Sequence, residues 1–235
     1  MNVARQFGPG SSHQAPAGSS ETDRRPRTAL PVFGGVARHL EAHIERLEAG
    51  AKALGQPVDW LGGLRSDLVA WLEQAVGTEE AALRLVLDPG AALLSARLEP
   101  LPTAPRPCPL ALLPHPLGAR RLDPTLRHKG LGGPWGKDLL AQAQGLGAQD
   151  ALLQWPDGSL AETSMAAVGI ERGGVFWVPP PEGRVASLAE RLELPGWAQA
   201  RGLRIETAVL PPALAINGQV WCMNALRGFW PATLL

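Results

Sequence analysis

The sequence lacks several features that would narrow its chemistry at once. Neither charge sign is in excess, since 22 Lys and Arg residues balance 22 Asp and Glu residues in 235. No global field therefore draws the chain to nucleic acid or to an anionic membrane, and a basic region, if present, must be a local pocket. The sequence has no run of about 18 apolar residues, the length a membrane helix requires. Its first residues, MNVARQFGPGSSHQ, hold no apolar core of the kind a secretion signal needs. A cytoplasmic protein acting on a small molecule is expected. The only cysteines, Cys108 and Cys222, stand alone, without a C-x-x-C spacing or a neighbouring histidine cluster. Buried or free thiols are therefore expected rather than a disulfide, and no metal site is expected.

What is present has the length for one large domain or two small ones. The stretch 8–20, rich in Gly, Ser and Pro, predicts an irregular leading segment, and residues 1–17 are expected to lack fixed structure. From Gly35 to Gly55 the residues Val36, Leu40, Ile44, Leu47, Ala51 and Leu54 recur at steps of three or four, which predicts one helix with a buried stripe. A second helix is expected over Leu64–Val76, and a strand over 82–90 that ends at Asp-Pro-Gly. Five prolines between 100 and 109 cannot continue a helix or a central strand. They divide the chain into a smaller N-terminal domain, 1–104, and a C-terminal domain, 105–235. The second part predicts a strand at LALLPHP, a helix closed by Gly147, a hairpin about Asp157-Gly158, a strand at GGVFWVPP and a helix at VASLAERLEL. Strands and helices mixed in this order predict an α+β chain of two α/β domains.

The stretch LRHKGLGGPWGKDLL, residues 126–140, sets two lysines among glycines. It is not a phosphate-binding P-loop: the first glycine of G-x-x-x-x-G-K-[ST] would fall at Leu131, and Asp138 follows Lys137 where a hydroxyl belongs. A dinucleotide G-x-G-x-x-G fails at Trp135. Lys137 opens a predicted helix beside Asp138 and reads as a solvated charge. Lys129 precedes glycines that let backbone or ligand come close, and a confined lysine can act as nucleophile or base.

The series HKGLGGPWGKDLLAQAQGLGAQDALLQWPDGSLAETSMAAVGI resembles the class IV aminotransferases, the fold-type-IV enzymes that use pyridoxal 5′-phosphate (PLP). In that family a lysine precedes a helix, an A-D-E-A-L-L-like strand, a D-x-x-G turn and a glutamate-bearing strand. The corresponding residues are Lys129, Ala148–Leu153, Asp157-Gly158 and Glu162, with lysine and glutamate 33 positions apart (129 to 162). GSSETDRR (18–25) resembles the family's G-x-F-E-T-[IL]-R, RHLEAHIERLEAGAKALG (38–55) its H-L-x-R-L helix, and WCMNALRGFWPA (221–232) its T-N-[SA]-L-x-G segment. The family's phosphate segment G-I-L-P-G-x-T-R becomes GRVASLAE (183–190), with Ala189 at the threonine position and Glu190 at the arginine position.

The resemblance implies a fold-type-IV enzyme, with a small N-terminal domain, a larger C-terminal domain holding a barrel-like sheet, and a homodimer. Lys129 would attach to the cofactor aldehyde, while Glu162 would keep the pyridine nitrogen protonated so that the ring accepts electrons. Arg46, Ser187, Leu188, Ala189 and Ala225 would hold the cofactor, and Thr22 would assist proton transfer. Asn224 in Asn-Ala-Leu resembles 4-amino-4-deoxychorismate lyase rather than the transaminases. The lyase makes p-aminobenzoate and pyruvate for folate synthesis from a substrate with two carboxylates, for which Arg24, Arg97, Arg121 and Arg227 are candidate partners. The alternatives are a branched-chain or D-amino acid aminotransferase and a non-catalytic homologue of the same fold. His39, His43 and Arg46 fall on one stripe of the predicted helix, with the histidines expected on its surface.

Overall fold

The computed structural model describes residues 3–8, 24–104, 106–132 and 135–235. The chain forms two compact units, one of Met1–Pro102 with His128–Pro134, the other of Thr103–Arg127 with Trp135–Leu235. The division near the proline cluster is thus accompanied by a return: the short segment carrying Lys129 groups with the N-terminal unit.

The N-terminal unit is a five-stranded antiparallel sheet, β1 (Val3–Phe7), β2 (Arg27–Phe33), β3 (Val36–Ala37), β4 (Glu80–Asp88) and β5 (Leu93–Glu99), in the order β1-β5-β4-β2-β3. Helices α1 (Leu40–Ala53) and α2 (Arg65–Val76) bury Ile44, Leu47, Leu68 and Leu72 in one core with Leu83, Leu85 and Leu98. Each such fully buried leucine contributes about 1.5–3 kcal/mol.

Two expectations need correction here. The helix expected from Gly35 starts only at Leu40. Gly34 and Gly35 take positive φ (56° and 78°) and close the β2–β3 hairpin, pairing Phe33 with Val36, which leaves Val36 70% exposed. Within the segment expected to lack structure, Val3–Phe7 is an edge strand whose Phe7 meets Trp71 edge to face, centroids 5.8 Å apart.

The C-terminal unit is an eight-stranded mixed sheet. Its strands are β6 (Cys108–Pro114), β7 (Asp150–Gln154), β8 (Leu160–Thr163), β9 (Ala167–Arg172), β10 (Val175–Val178), β11 (Arg204–Thr207), β12 (Gln219–Asn224) and β13 (Gly228–Leu234). They run in the order β11-β10-β9-β12-β13-β6-β7-β8. Helix α3 (Gly136–Gly145) joins the parallel strands β6 and β7 and buries Leu139 and Ala143. The expected hairpin forms β7–β8, with Leu152 opposite Thr163 and Gly158 at φ 83° in its turn. Short helices α4 (Leu188–Leu192) and α5 (Leu194–Ala200) occupy the region read as one helix, and α6 (Pro212–Ile216) follows the Pro-Pro break. The sheet curls: Leu160 N–H, on the last strand in this order, donates to Leu210 O, just beyond the first, at 2.8 Å. A small-sheet unit and a curled-sheet unit are the two parts that the resemblance implied.

Cys108 and Cys222 are free and buried, and burial raises both thiols above their ordinary pKa. Among the described residues no cluster of His, Cys, Asp and Glu could hold a metal, and no helix is long and apolar enough to cross a membrane.

Candidate active site

In the N-terminal unit the backbone around Lys129 is pinned. Arg27 N–H, at the start of β2, donates to Lys129 O at 3.0 Å. Gly130 has φ 103°, and a Cβ there would lie 2.3 Å from Arg25 O and 2.8 Å from Arg27 Nε. Only glycine allows that approach. Lys129 itself is half-buried, whereas Lys137 is exposed in the first turn of α3, as a solvated charge should be. Gly130→Ala is expected to destabilise the protein by about 1–3 kcal/mol, read as a fall in melting temperature, because strand β2 and Lys129 cannot both keep their places.

The other N-terminal candidates have different surroundings. Arg46 is half-buried on α1, and Arg24 is exposed. Arg97 is 60% exposed on β5 and ion-paired with Glu99. His43 is fully buried, not on the helix surface as expected, because α1 lies over β2, where Thr28 Oγ1 meets His43 Nδ1 at 2.6 Å. His39 is not on its stripe: it precedes α1 with a left-handed backbone, φ 54°. Thr22, the rest of 18–23 and Gly133 lie outside the described residues.

In the C-terminal unit Glu162 sits on β8 with 5% of its surface exposed. Val185 N–H donates to both its carboxylate oxygens, at 3.2 and 3.3 Å, so the segment 183–187 lies against the carboxylate. Gly183, φ 78°, makes this possible, since a Cβ there would come within 2.6 Å of Arg121 O. Two donors of the expected phosphate segment thus have protein partners: Val185 N–H has Glu162, and Ala186 N–H has Arg127 O at 3.1 Å. Ser187 Oγ accepts from Glu190 N–H at 3.3 Å, capping α4, while Leu188 and Ala189 are buried, Ala189 in a cluster with Phe176, Leu194 and Met223.

Glu190, at the family's arginine position, is not a phosphate ligand in waiting. Arg184, 4% exposed, donates to its carboxylate through both terminal nitrogens (2.6 and 2.7 Å), and to Pro180 O and Pro179 O at 2.9 and 2.7 Å. Sequence reasoning passed over Arg184; its signal was an arginine and a glutamate six residues apart around an apolar turn.

Asn224, at the end of β12, organises the turn that follows it. Its Oδ1 accepts from Leu226 and Arg227 N–H at 3.1 and 2.9 Å, so Ala225 lies in a closed turn. Its Nδ2 donates to Met165 O at 3.3 Å, in the turn directly after Glu162. Glu162, the 183–187 segment and the Asn224–Arg227 turn are therefore joined within one unit by hydrogen bonds.

His115, also absent from the sequence reading, lies at the end of β6. Its ring stacks on Trp155, 3.7 Å between centroids, and its Nδ1 accepts from Leu117 N–H at 3.1 Å. Burial lowers its pKa from 6.5 to about 4. The unfolded chain takes up this proton near pH 6.5 and the folded chain only near 4, so the contribution is complete above pH 6.5 and is lost as pH falls through that window. The loss is about 3 kcal/mol. Urea midpoints from pH 7 to 4.5 should fall more steeply for the wild type than for His115→Phe; equal slopes contradict the assignment.

Comparison with known proteins adds the family. The profile described as amino-transferase class IV matches residues 28–235. The chain belongs to the class IV aminotransferase family. No curated protein sequence matches it. Among solved structures, a hypothetical aminotransferase from Mycobacterium tuberculosis, bound to alpha-ketoglutarate and PMP, is 20% identical with a TM-score of 0.83, covering 98% of this chain and 90% of that one. A candidate 4-amino-4-deoxychorismate lyase from Legionella pneumophila is 17% identical with a TM-score of 0.79, over 94% and 88%. A branched-chain aminotransferase from Thermoproteus uzoniensis with norvaline is 16% identical with a TM-score of 0.81, over 98% and 86%. These likenesses show the class IV fold; its lyase and transaminase members share it.

Proposed function

We propose that this class IV chain is a PLP-dependent 4-amino-4-deoxychorismate lyase of the cytoplasm, working as a homodimer in folate synthesis. The observation that carries the reading is the Asn224 turn: its side chain closes Asn-Ala-Leu-Arg and ties it to the residues after Glu162. The donor set suits the cofactor. A carboxylate held in the interior by a backbone N–H offers an anionic acceptor for a protonated ring nitrogen, and a lysine whose backbone is fixed offers the amine. Arg46, Ser187, Leu188, Ala189 and Ala225 would complete its binding.

When bound, the cofactor supplies an electron sink. The Lys129 amine takes the proton from the substrate ring carbon that bears the amino group. The electron pair left behind expels the enolpyruvyl oxygen, the carbon–oxygen bond breaks, and enolpyruvate leaves as the ring becomes aromatic, its methylene carbon then taking up a proton to give pyruvate. Glu162 would offer its carboxylate to the ring nitrogen, and Thr22 would assist delivery of the proton.

Product analysis tests the reading. Incubation with PLP and 4-amino-4-deoxychorismate should yield p-aminobenzoate and pyruvate in equal amounts. Amino-group transfer to a 2-oxo acid without p-aminobenzoate would make the chain a transaminase for branched-chain or D-amino acids. Failure to retain PLP would make it a non-catalytic member, the reading that the Arg184–Glu190 pair favours.

A further inference from the structure

Arg227 stands on the β12–β13 turn that Asn224 ties to the turn following Glu162. Its guanidinium lies over Trp230, 5.9 Å from the ring centre, and its Nη1 meets the Met165 sulfur at 4.0 Å, a weak acceptor. Its Nε is buried with no hydrogen-bond partner, and no carboxylate of the described residues is within ion-pair distance. The buried carboxylate of Asp150 accepts from Ala151 N–H at 2.8 Å and from the Ser164 hydroxyl.

The other arginines considered for substrate differ. Arg97 is held by Glu99, and Arg121 by Asp157 while lying over Trp155. A half-buried guanidinium fixed on an aromatic face, with its fork toward a thioether, is prepared for a planar anion that can accept two parallel hydrogen bonds. A carboxylate meets that description.

We propose that Arg227 is a specificity-determining residue that receives a carboxylate of the substrate, so that the site selects anionic ring compounds over neutral ones. The proposal rests on the lyase reading for the identity of the ring compound. Trp230 sets the plane of the guanidinium, and the Asn224 turn sets its distance from Glu162. Truncating such a charge-assisted pair should weaken binding about tenfold to a hundredfold.

The test is calorimetric titration of the PLP-supplemented protein with 4-aminobenzoate and with its neutral ethyl ester. The wild type should bind the acid at least about tenfold more tightly than the ester. Arg227→Gln should bind both alike, and Arg227→Lys, which keeps the charge but not the fork, should fall between. Equal discrimination in the wild type and Arg227→Gln overturns the proposal, as does a wild type that does not prefer the acid. If Arg227→Gln fails to fold, Arg227→Lys decides: unchanged affinity for the acid overturns it. The visible absorption of bound PLP, recorded on the same samples, separates the two claims, since preference for the acid without that absorption sinks the lyase reading and leaves Arg227 standing.

Discussion

Lys129→Ala is expected to lower turnover by at least about 10³-fold, because in the proposed mechanism Lys129 is both the covalent attachment point and the proton-transferring amine. Lys137→Ala should leave turnover within twofold or so, since it removes only an exposed charge from the first turn of α3. The contrast matters more than either value. Both lysines belong to the same glycine-rich stretch, so a general disturbance of that stretch would affect both variants. Steady-state assay of p-aminobenzoate release, with melting curves to show that both variants fold, checks the pair. Comparable losses in the two variants would contradict the assignment of the chemistry to Lys129.

Glu190→Gln is expected to destabilise the protein by about 3–5 kcal/mol, because it leaves the Arg184 guanidinium buried without its compensating charge. Arg184 would keep its bonds to Pro179 O and Pro180 O, which place the donors but do not neutralise them. Replacing both partners together, Arg184→Met with Glu190→Leu, should recover most of the loss, since a buried pair exchanged for apolar residues of similar volume is often neutral in stability. Urea unfolding of the single and double variants measures both effects. A single variant as stable as the wild type would mean that the pair is solvated. The same pair explains the departure from the family pattern: position 190 serves the interior of the loop, and the loop's cation sits at 184.

Much of this architecture was legible in the sequence, and the failures have identifiable causes. The stripe of Ile44, Leu47 and Ala51 predicted α1 because it faces a sheet, and that periodicity survives packing. It overran at the N-terminal end because Val36 happens to fall in phase, although two adjacent glycines place it across a hairpin. Strand β1 was missed because it is an edge strand with three exposed residues before Gln6 and Phe7, too little alternation to register. The return of residues 128–134 to the N-terminal unit follows from the fit of Gly130 against Arg25, a contact between distant positions that no local pattern encodes. In the candidate site, Glu162 and Asn224 were singled out through family resemblance. Arg184, Met165 and His115 were not, since their meaning lies in partners supplied by the fold: a carboxylate at 190, a guanidinium at 227 and an indole at 155.

The central claim is that Lys129 is the residue that holds the cofactor of this class IV enzyme. Borohydride reduction of the protein mixed with PLP, followed by peptide mapping, tests it most directly. The account predicts a visible absorption band that borohydride abolishes, and a single pyridoxyl group on the peptide containing Lys129. No band, or a label on Lys137 or spread over other lysines, would contradict it.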